Sequence, residues 1–231
     1  MKNICLLFFI FWFTKCHSQE FFHLKDSIYT KESLKVAIKR INKNSIKGYK
    51  YVFIPYKAEK RNDSIIKHGD IVNVPLEYEL DSVYNLLGKK IPTYLLERQS
   101  GGKSSSEDLV GKPTIINFWF TSCLPCVLEI PSLNKIKEKY GDKINTIAIT
   151  FEDRAKVLNF SASYRFDFEK IINSKYYIQS LGIYSYPKLL LLDRNSIVRY
   201  IPFAIFMNND DETTRSLLDV FEKEIYNLIN E

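Results

Sequence analysis

Four cysteines in 231 residues are too few for a scaffold stapled by disulfides, and Cys5 and Cys16 lie at the very start of the chain. Beyond residue 18 only Cys123 and Cys126 remain, two residues apart. Histidine is scarcer still. His17, His23 and His68 all precede that pair, and there is no second cysteine pair, so a four-ligand zinc site is not available around it. After residue 13 no apolar run is long enough to cross a bilayer. Charge of one sign is also lacking: 33 Lys and Arg stand against 27 Asp and Glu, and the net charge of +6 is spread without a basic stripe, which argues against nucleic acid as a partner. Eight glycines and eight prolines are too few for a collagenous or low-complexity chain, and 45% apolar residues suffice for a packed core.

What is present begins with a leader. Lys2 supplies a basic start, 4–13 is an unbroken apolar run, and 14–18 is polar. This is the layout of a secretory signal peptide, with cleavage expected near Ser18. Two other readings stay open: lipidation at Cys16, or retention of the segment as an anchor. Export to the periplasm or cell envelope is the expectation, with membrane association only if the segment is retained or Cys16 lipidated.

Two regions follow. In 19–87 the periodicity of Leu34, Ala37, Ile38 and Ile41 predicts a helix over 33–42, the aromatic and β-branched run 49–54 a strand, 57–63 a polar loop, 71–74 a second strand and 81–87 a short helix. This N-terminal module is either a packing extension or a docking element. In 88–231 strands alternate with helices. An edge strand is expected at 91–96, where Pro92 is tolerated, with a turn over 99–106. Buried strands are expected at 114–120 and 144–151 and a short one at 168–172. Helices are expected at 126–140, with Leu128, Leu133, Ile136 and Tyr140 inward, at 153–165, with Val157, Phe160 and Tyr164 inward, and at 174–181. A hairpin over 189–201 and an amphipathic helix over 210–229 complete an α/β fold with a mixed sheet flanked by helices, preceded by the small α+β module.

The chemistry lies where a buried strand gives way to a helix, at Ser122-Cys123-Leu124-Pro125-Cys126. Unpaired N–H groups at a helix start carry partial positive charge and stabilise a thiolate, lowering the Cys123 pKa below the free-thiol value. Cys126 is close enough to resolve a mixed disulfide. Ser122 is a candidate helix cap, and Pro125 is tolerated in the first turn. Glu129 lies one helical turn beyond Cys126, where a partly buried carboxylate acquires a raised pKa and serves as a proton shuttle; the alternative is a surface glutamate.

The stretch 117–131, Asn-Phe-Trp-Phe-Thr-Ser-Cys-Leu-Pro-Cys-Val-Leu-Glu-Ile-Pro, resembles the thioredoxin superfamily, specifically its exported TlpA/ResA-like branch with its N-F-W-x-x-x-C-x-P-C-x-x-E-x-P pattern. The resemblance extends over about 88–230, including Gly111-Lys112-Pro113 and Tyr186-Pro187. It implies a thioredoxin-like sheet and a thiol–disulfide oxidoreductase without a cofactor or metal. Cys123 is then the attacking and Cys126 the resolving thiol, with Glu129 assisting. Pro187 is a cis-proline that, with Tyr186 and Trp119, forms the substrate-binding side, and Pro131 kinks the helix. Implied partners are client proteins with disulfides and a membrane thiol–disulfide electron donor; cytochrome c maturation is one setting. Asn117 stands where thioredoxins proper carry a buried aspartate, which shifts the acid–base task to Glu129.

Two departures stand out. Ser122 replaces the tryptophan many relatives carry before the first cysteine, and Lys188 replaces the usual Thr after the proline, adding a cation that would favour the thiolate if it points that way. Rival functions remain: a thiol peroxidase, although Phe120 occupies the position where peroxidases carry Thr or Ser; a copper-delivery protein, although no histidine follows Cys126; and a binding module with a non-catalytic disulfide.

Overall fold

The computed structural model describes residues 19–202 and 212–231. The leader over 1–18 and the expected first residues of the last helix, 210–211, lie outside the described residues. In chain order the strands and helices are β1 (Gln19–Leu24), β2 (Ser27–Thr30), α1 (Lys31–Asn42), β3 (Tyr49–Arg61), β4 (Ser64–Pro75), β5 (Leu95–Arg98), β6 (Lys103–Ser105), β7 (Thr114–Phe118), α2 (Leu124–Tyr140), β8 (Asn145–Ile149), α3 (Arg154–Ser163), β9 (Glu169–Ile172), α4 (Lys175–Ser180), β10 (Lys188–Leu192), β11 (Val198–Tyr200) and α5 (Glu212–Asn230). A 3-10 turn spans Ser82–Leu86. The strands form one mixed sheet in the order β2-β1-β4-β3-β11-β10-β7-β8-β9-β5-β6.

The centre of the sheet follows from composition. All five residues of β7 and all five of β10 are buried, which suits near-continuous apolar runs covered on both faces. The two-residue period of a strand divides them. Ile115, Leu189 and Leu191 face a core with Leu133 and Ile136 of α2, Phe160 of α3 and Phe221 of α5. Ile116, Phe118, Leu190 and Leu192 face the other core, with Val83, Tyr84 and Leu87 from the 3-10 turn and its end and Ile178 of α4. β7 pairs parallel with β8 and antiparallel with β10, so it is held from both sides.

The N-terminal region continues this sheet. Thr30 caps α1, its hydroxyl accepting from the Ser33 N–H at 3.2 Å. At the far end the Asn42 amide donates to the Tyr51 carbonyl (2.9 Å) and accepts from the Tyr51 N–H (2.6 Å), tying the helix to β3. The expectation of a loop over 57–63 is corrected. β3 runs through Arg61 and turns only at Asn62 and Asp63, because every residue from Lys57 to Arg61 pairs with β4 and Ala58 is fully buried. Composition suggested a loop, and cross-strand pairing overrode it. The second strand is longer than expected for the same reason. The hairpin meets the sheet edge where Lys57 pairs with Tyr200 and the Ile201 N–H donates to the Tyr56 carbonyl at 2.7 Å.

Three other expectations change. The strand expected at 91–96 is Leu95–Arg98; Pro92 lies before it, its carbonyl accepting from the Tyr177 hydroxyl. The turn over 99–106 narrows, since Lys103–Ser105 is a strand paired with β5. Leu128 and Tyr164 are exposed rather than inward, while Val157 and Phe160 are buried as expected.

At a bulge in β3, around Pro55, the partner strand comes unusually close. A Cβ on Gly69 would meet the Phe53 ring at 2.4 Å and the Ile54 carbonyl oxygen at 2.5 Å. Gly69→Ala is therefore expected to destabilise the fold by about 1–3 kcal/mol in urea unfolding, the range for overpacking. A midpoint equal to the parent's would show that the hairpin relaxes freely.

Candidate functional site: the dithiol at the start of α2

Residues 119–122 leave the end of β7 as a short loop. The Trp119 N–H donates to the Ile149 carbonyl at 3.1 Å, which extends the β7–β8 pairing by one residue. The loop is then gripped by Glu152, whose carboxylate accepts from the Thr121 N–H (2.7 Å) and hydroxyl (3.0 Å). Glu152 is buried and has Lys156 at 3.6 Å. Sequence reading missed this clamp, because 31 positions separate its two halves.

The helix begins at Leu124, two residues earlier than expected, and its N-cap is Cys123 rather than Ser122. The Cys123 Sγ accepts from the Cys126 N–H at 3.2 Å. A sulfur in that place is favourable for a thiolate, because the N–H is one of the orphan donors of the first turn and lies at the positive end of the helix dipole. Pro125 occupies the first turn, where its missing N–H costs no hydrogen bond. Cys123 and Cys126 are joined as a disulfide, with Cα atoms 5.2 Å apart. The helix runs on through Pro131 to Tyr140.

The buried face of α2 carries Cys126, Glu129, Ile130, Leu133 and Ile136. Glu129 thus takes the interior position that hydrophobicity alone would assign to Leu128. Its side chain is fully buried; Oε1 accepts from the Asn117 amide at 2.5 Å, and Oε2 finds no partner among the described residues. Loss of solvation pushes its pKa up to about 8, and the Asn117 hydrogen bond opposes this only in part. Leu128 instead joins Leu124 on the outside, 46% and 67% exposed, four residues apart and hence on one stripe beside the dithiol.

The Tyr186-Pro187 bond is cis, in the loop just before β10. Tyr186 is half-buried. Its ring meets Phe120 edge-on (5.3 Å between centroids) and Phe151 (6.1 Å), so three aromatic rings from three loops gather beside the dithiol loop. This cluster supplies apolar surface that Ser122 does not. Trp119 does not share it. It has no exposed surface and packs between Phe160 (4.9 Å) and Phe166 (5.3 Å), so its expected contact with substrate is corrected to a supporting role beneath the loop. Lys188 is also turned away from the thiols. It sits on the strand face shared by Leu190 and Leu192, opposite α2, and its ammonium pairs with Asp81 at 3.0 Å.

A cysteine pair at a helix start, a buried acid one turn on and a cis-proline loop whose Tyr186 ring meets Phe120 are thus gathered at one end of the sheet. The AhpC/TSA family profile matches residues 87–201. The thioredoxin-like protein YneN of Bacillus subtilis is 33% identical over 118 residues, 49% of this chain and 69% of that protein. The chain belongs to the thioredoxin-like proteins. ResA of Bacillus thuringiensis is 28% identical over 142 residues, 60% of this chain and 78% of that one. The thiol:disulfide interchange protein DsbE of Pseudomonas fluorescens is 32% identical over 117 residues, 49% and 65% of the two chains. The fold is shared with a crystal structure of a DsbE-type protein from Chlorobium tepidum (TM-score 0.54, 21% identity, 62% of this chain and 96% of that one). The protein is a thiol–disulfide oxidoreductase, the class that these relatives' names give. The thioredoxin-like sheet therefore stands as expected, and no helix among the described residues is long and apolar enough to cross a membrane.

The raised pKa of Glu129 has a signed consequence for stability. Unfolded, the carboxyl ionises near its ordinary 4.5; folded, it keeps its proton to about 8. Between those values the native state binds the extra proton, so its contribution is complete at acid pH and is lost as pH rises through the folded pKa. Unfolding free energy should fall by up to about 1.4 kcal/mol per pH unit across that window. In Glu129→Gln the urea-unfolding profile should be flatter; an equally steep one would assign the dependence to another group.

Proposed function

We propose that the chain is an exported oxidoreductase that reduces disulfides of client proteins through Cys123 and Cys126. The observation that carries this reading is the Cys126 N–H directed at the Cys123 sulfur at the first turn of α2, with the Glu129 carboxyl fully buried one turn on. In the reduced enzyme, the Cys123 thiolate attacks one sulfur of a client disulfide, and the other client sulfur leaves as a thiolate that takes up a proton. Cys126 then gives up its proton to Glu129 in its ionised form, which is accessible near neutral pH because the carboxyl pKa of about 8 lies close to that of a thiol. The Cys126 thiolate attacks the Cys123 sulfur and releases the second client thiolate. Two electrons pass to the client, and the enzyme is left with the Cys123–Cys126 disulfide; a membrane thiol–disulfide donor restores the dithiol.

The client lies against Tyr186 and Pro187, with the exposed Leu124 and Leu128 and the Phe120–Phe151 pair offering apolar surface to the unfolded segment around its disulfide. An open groove of about 660 Å³ beside Thr121 and Ser122, floored by Phe160 and Tyr164, gives that segment a path. The apolar run 4–13 supports export to the periplasm or cell envelope, and the division proposed for the chain is a leader over 1–18, an N-terminal module over 19–87 and the dithiol domain over 88–231. Cytochrome c maturation is one setting for such a reductant. The ResA and DsbE names of the relatives support the reaction class.

Cys123→Ser should abolish dithiothreitol-driven insulin reduction, a loss of at least about a thousandfold because the attacking thiolate is gone. Cys126→Ser should instead accumulate mixed disulfides with the client, visible as a mass shift removed by reductant. Full activity in Cys123→Ser would end this assignment of the dithiol. A midpoint potential at or below about −250 mV would fit a reductant, and one near about −120 mV would reverse the direction.

A further inference from the structure

The segment just ahead of the dithiol domain reaches into the loop that carries Tyr186 and Pro187. Asp81 is buried, yet its carboxylate serves two groups of that loop and the first residue of β10. Oδ1 accepts from the Tyr184 N–H at 3.3 Å. Oδ2 accepts from the Ser185 hydroxyl at 2.6 Å and lies 3.0 Å from the Lys188 ammonium. One carboxylate therefore holds the chain on both sides of residues 186–187. The ammonium is in turn held from a second side by the Tyr84 ring, 5.0 Å from its centroid. The two segments also pack closely at Gly182, where a Cβ would meet the Ser82 Cβ at 2.5 Å, and Gly182 has φ +68°.

Packing alone does not call for this arrangement. Asp81 and Lys188 are both buried, and a buried ion pair stabilises a fold no better than apolar residues of the same shape. What the pair does supply is direction, since a carboxylate with filled lone pairs permits one placement of its partners. Leu190 and Leu192 show how readily the same strand face takes leucine.

We propose that Asp81 is a positioning residue for client binding: through Tyr184, Ser185 and Lys188 it sets where Tyr186 and Pro187 meet the client. This rests on the reading of Tyr186 and Pro187 as the client-binding side. It gives the segment before residue 88 a part in recognition.

The test is steady-state reduction of insulin by the full chain with dithiothreitol as reductant. Asp81→Asn removes the charge and should raise the insulin KM about tenfold, the scale of one charge-assisted contact, with kcat within about twofold. Ser185→Ala, which unpairs no buried charge, should raise KM about threefold, the scale of one neutral hydrogen bond. In Asp81→Asn with Lys188→Gln the buried ammonium is no longer orphaned, so the urea midpoint should return toward the parent while KM stays raised. An unchanged KM in Ser185→Ala and Asp81→Asn overturns the proposal, and so does a KM that recovers together with stability in the double variant. Tyr186→Ala separates the two readings: if it leaves the insulin KM unchanged, the client-binding reading itself fails, whereas if it raises KM and the Asp81 variants match the parent, only the positioning role fails.

Discussion

Everything in the site hangs from β7. Its five residues are buried on both faces and paired on both edges, so its end is a fixed point in the molecule. One residue later the Trp119 N–H still pairs with the neighbouring strand, β8, and the ring beneath it is locked between Phe160 and Phe166. The loop that follows has only to turn, and the Glu152 carboxylate takes both polar groups of Thr121 as it does so. A nucleophile on a freely moving loop would meet the helix-start N–H only part of the time. Here Cys123 is delivered to it by a strand that cannot slide without exposing a face of the core.

The electrostatics of the site divide along α2. The helix start, near the surface, offers an N–H to the Cys123 sulfur and so favours the anion. One turn inward, the apolar core holds Glu129 neutral against a single amide donor from Asn117. The same helix thus stabilises a thiolate at its mouth and a proton in its depth. Such a gradient suits an exchange in which one thiol must be ionised before the other. The opposite face of the sheet is quiet with respect to the thiols: the cation of Lys188, which follows Pro187, is spent on Asp81.

The elements of the dithiol domain were largely legible. The apolar runs 114–120 and 144–151, the stretch 126–140 closed by Gly141 and the periodic stretch 210–229 were legible, and over the described residues the observed bounds differ by a few residues only. The hairpin of β3 and β4 was half legible. Lys57, Glu59, Lys60 and Arg61 read as a loop, yet they pair with β4 across the sheet, and no local signal reports a partner several residues beyond a turn. Leu128 read as core and Glu129 as ambiguous, because a heptad-like pattern tolerates either register until the helix is docked.

Residue order by itself determined the cysteine pair and its seat at a strand-to-helix junction, because a spacing of two residues at a helix start is a local property that no packing alters; the reaction class came from the resemblance of the whole stretch 117–131. Tertiary structure alone decided that Glu129 is buried and Leu128 exposed, that Trp119 supports rather than touches, that Glu152 grips the dithiol loop and that Asp81 grips residues 184–188. Each of these depends on which face of an element another element covers. That choice is made by the sum of many weak contacts between positions far apart in the chain, and a single residue's type carries no record of it.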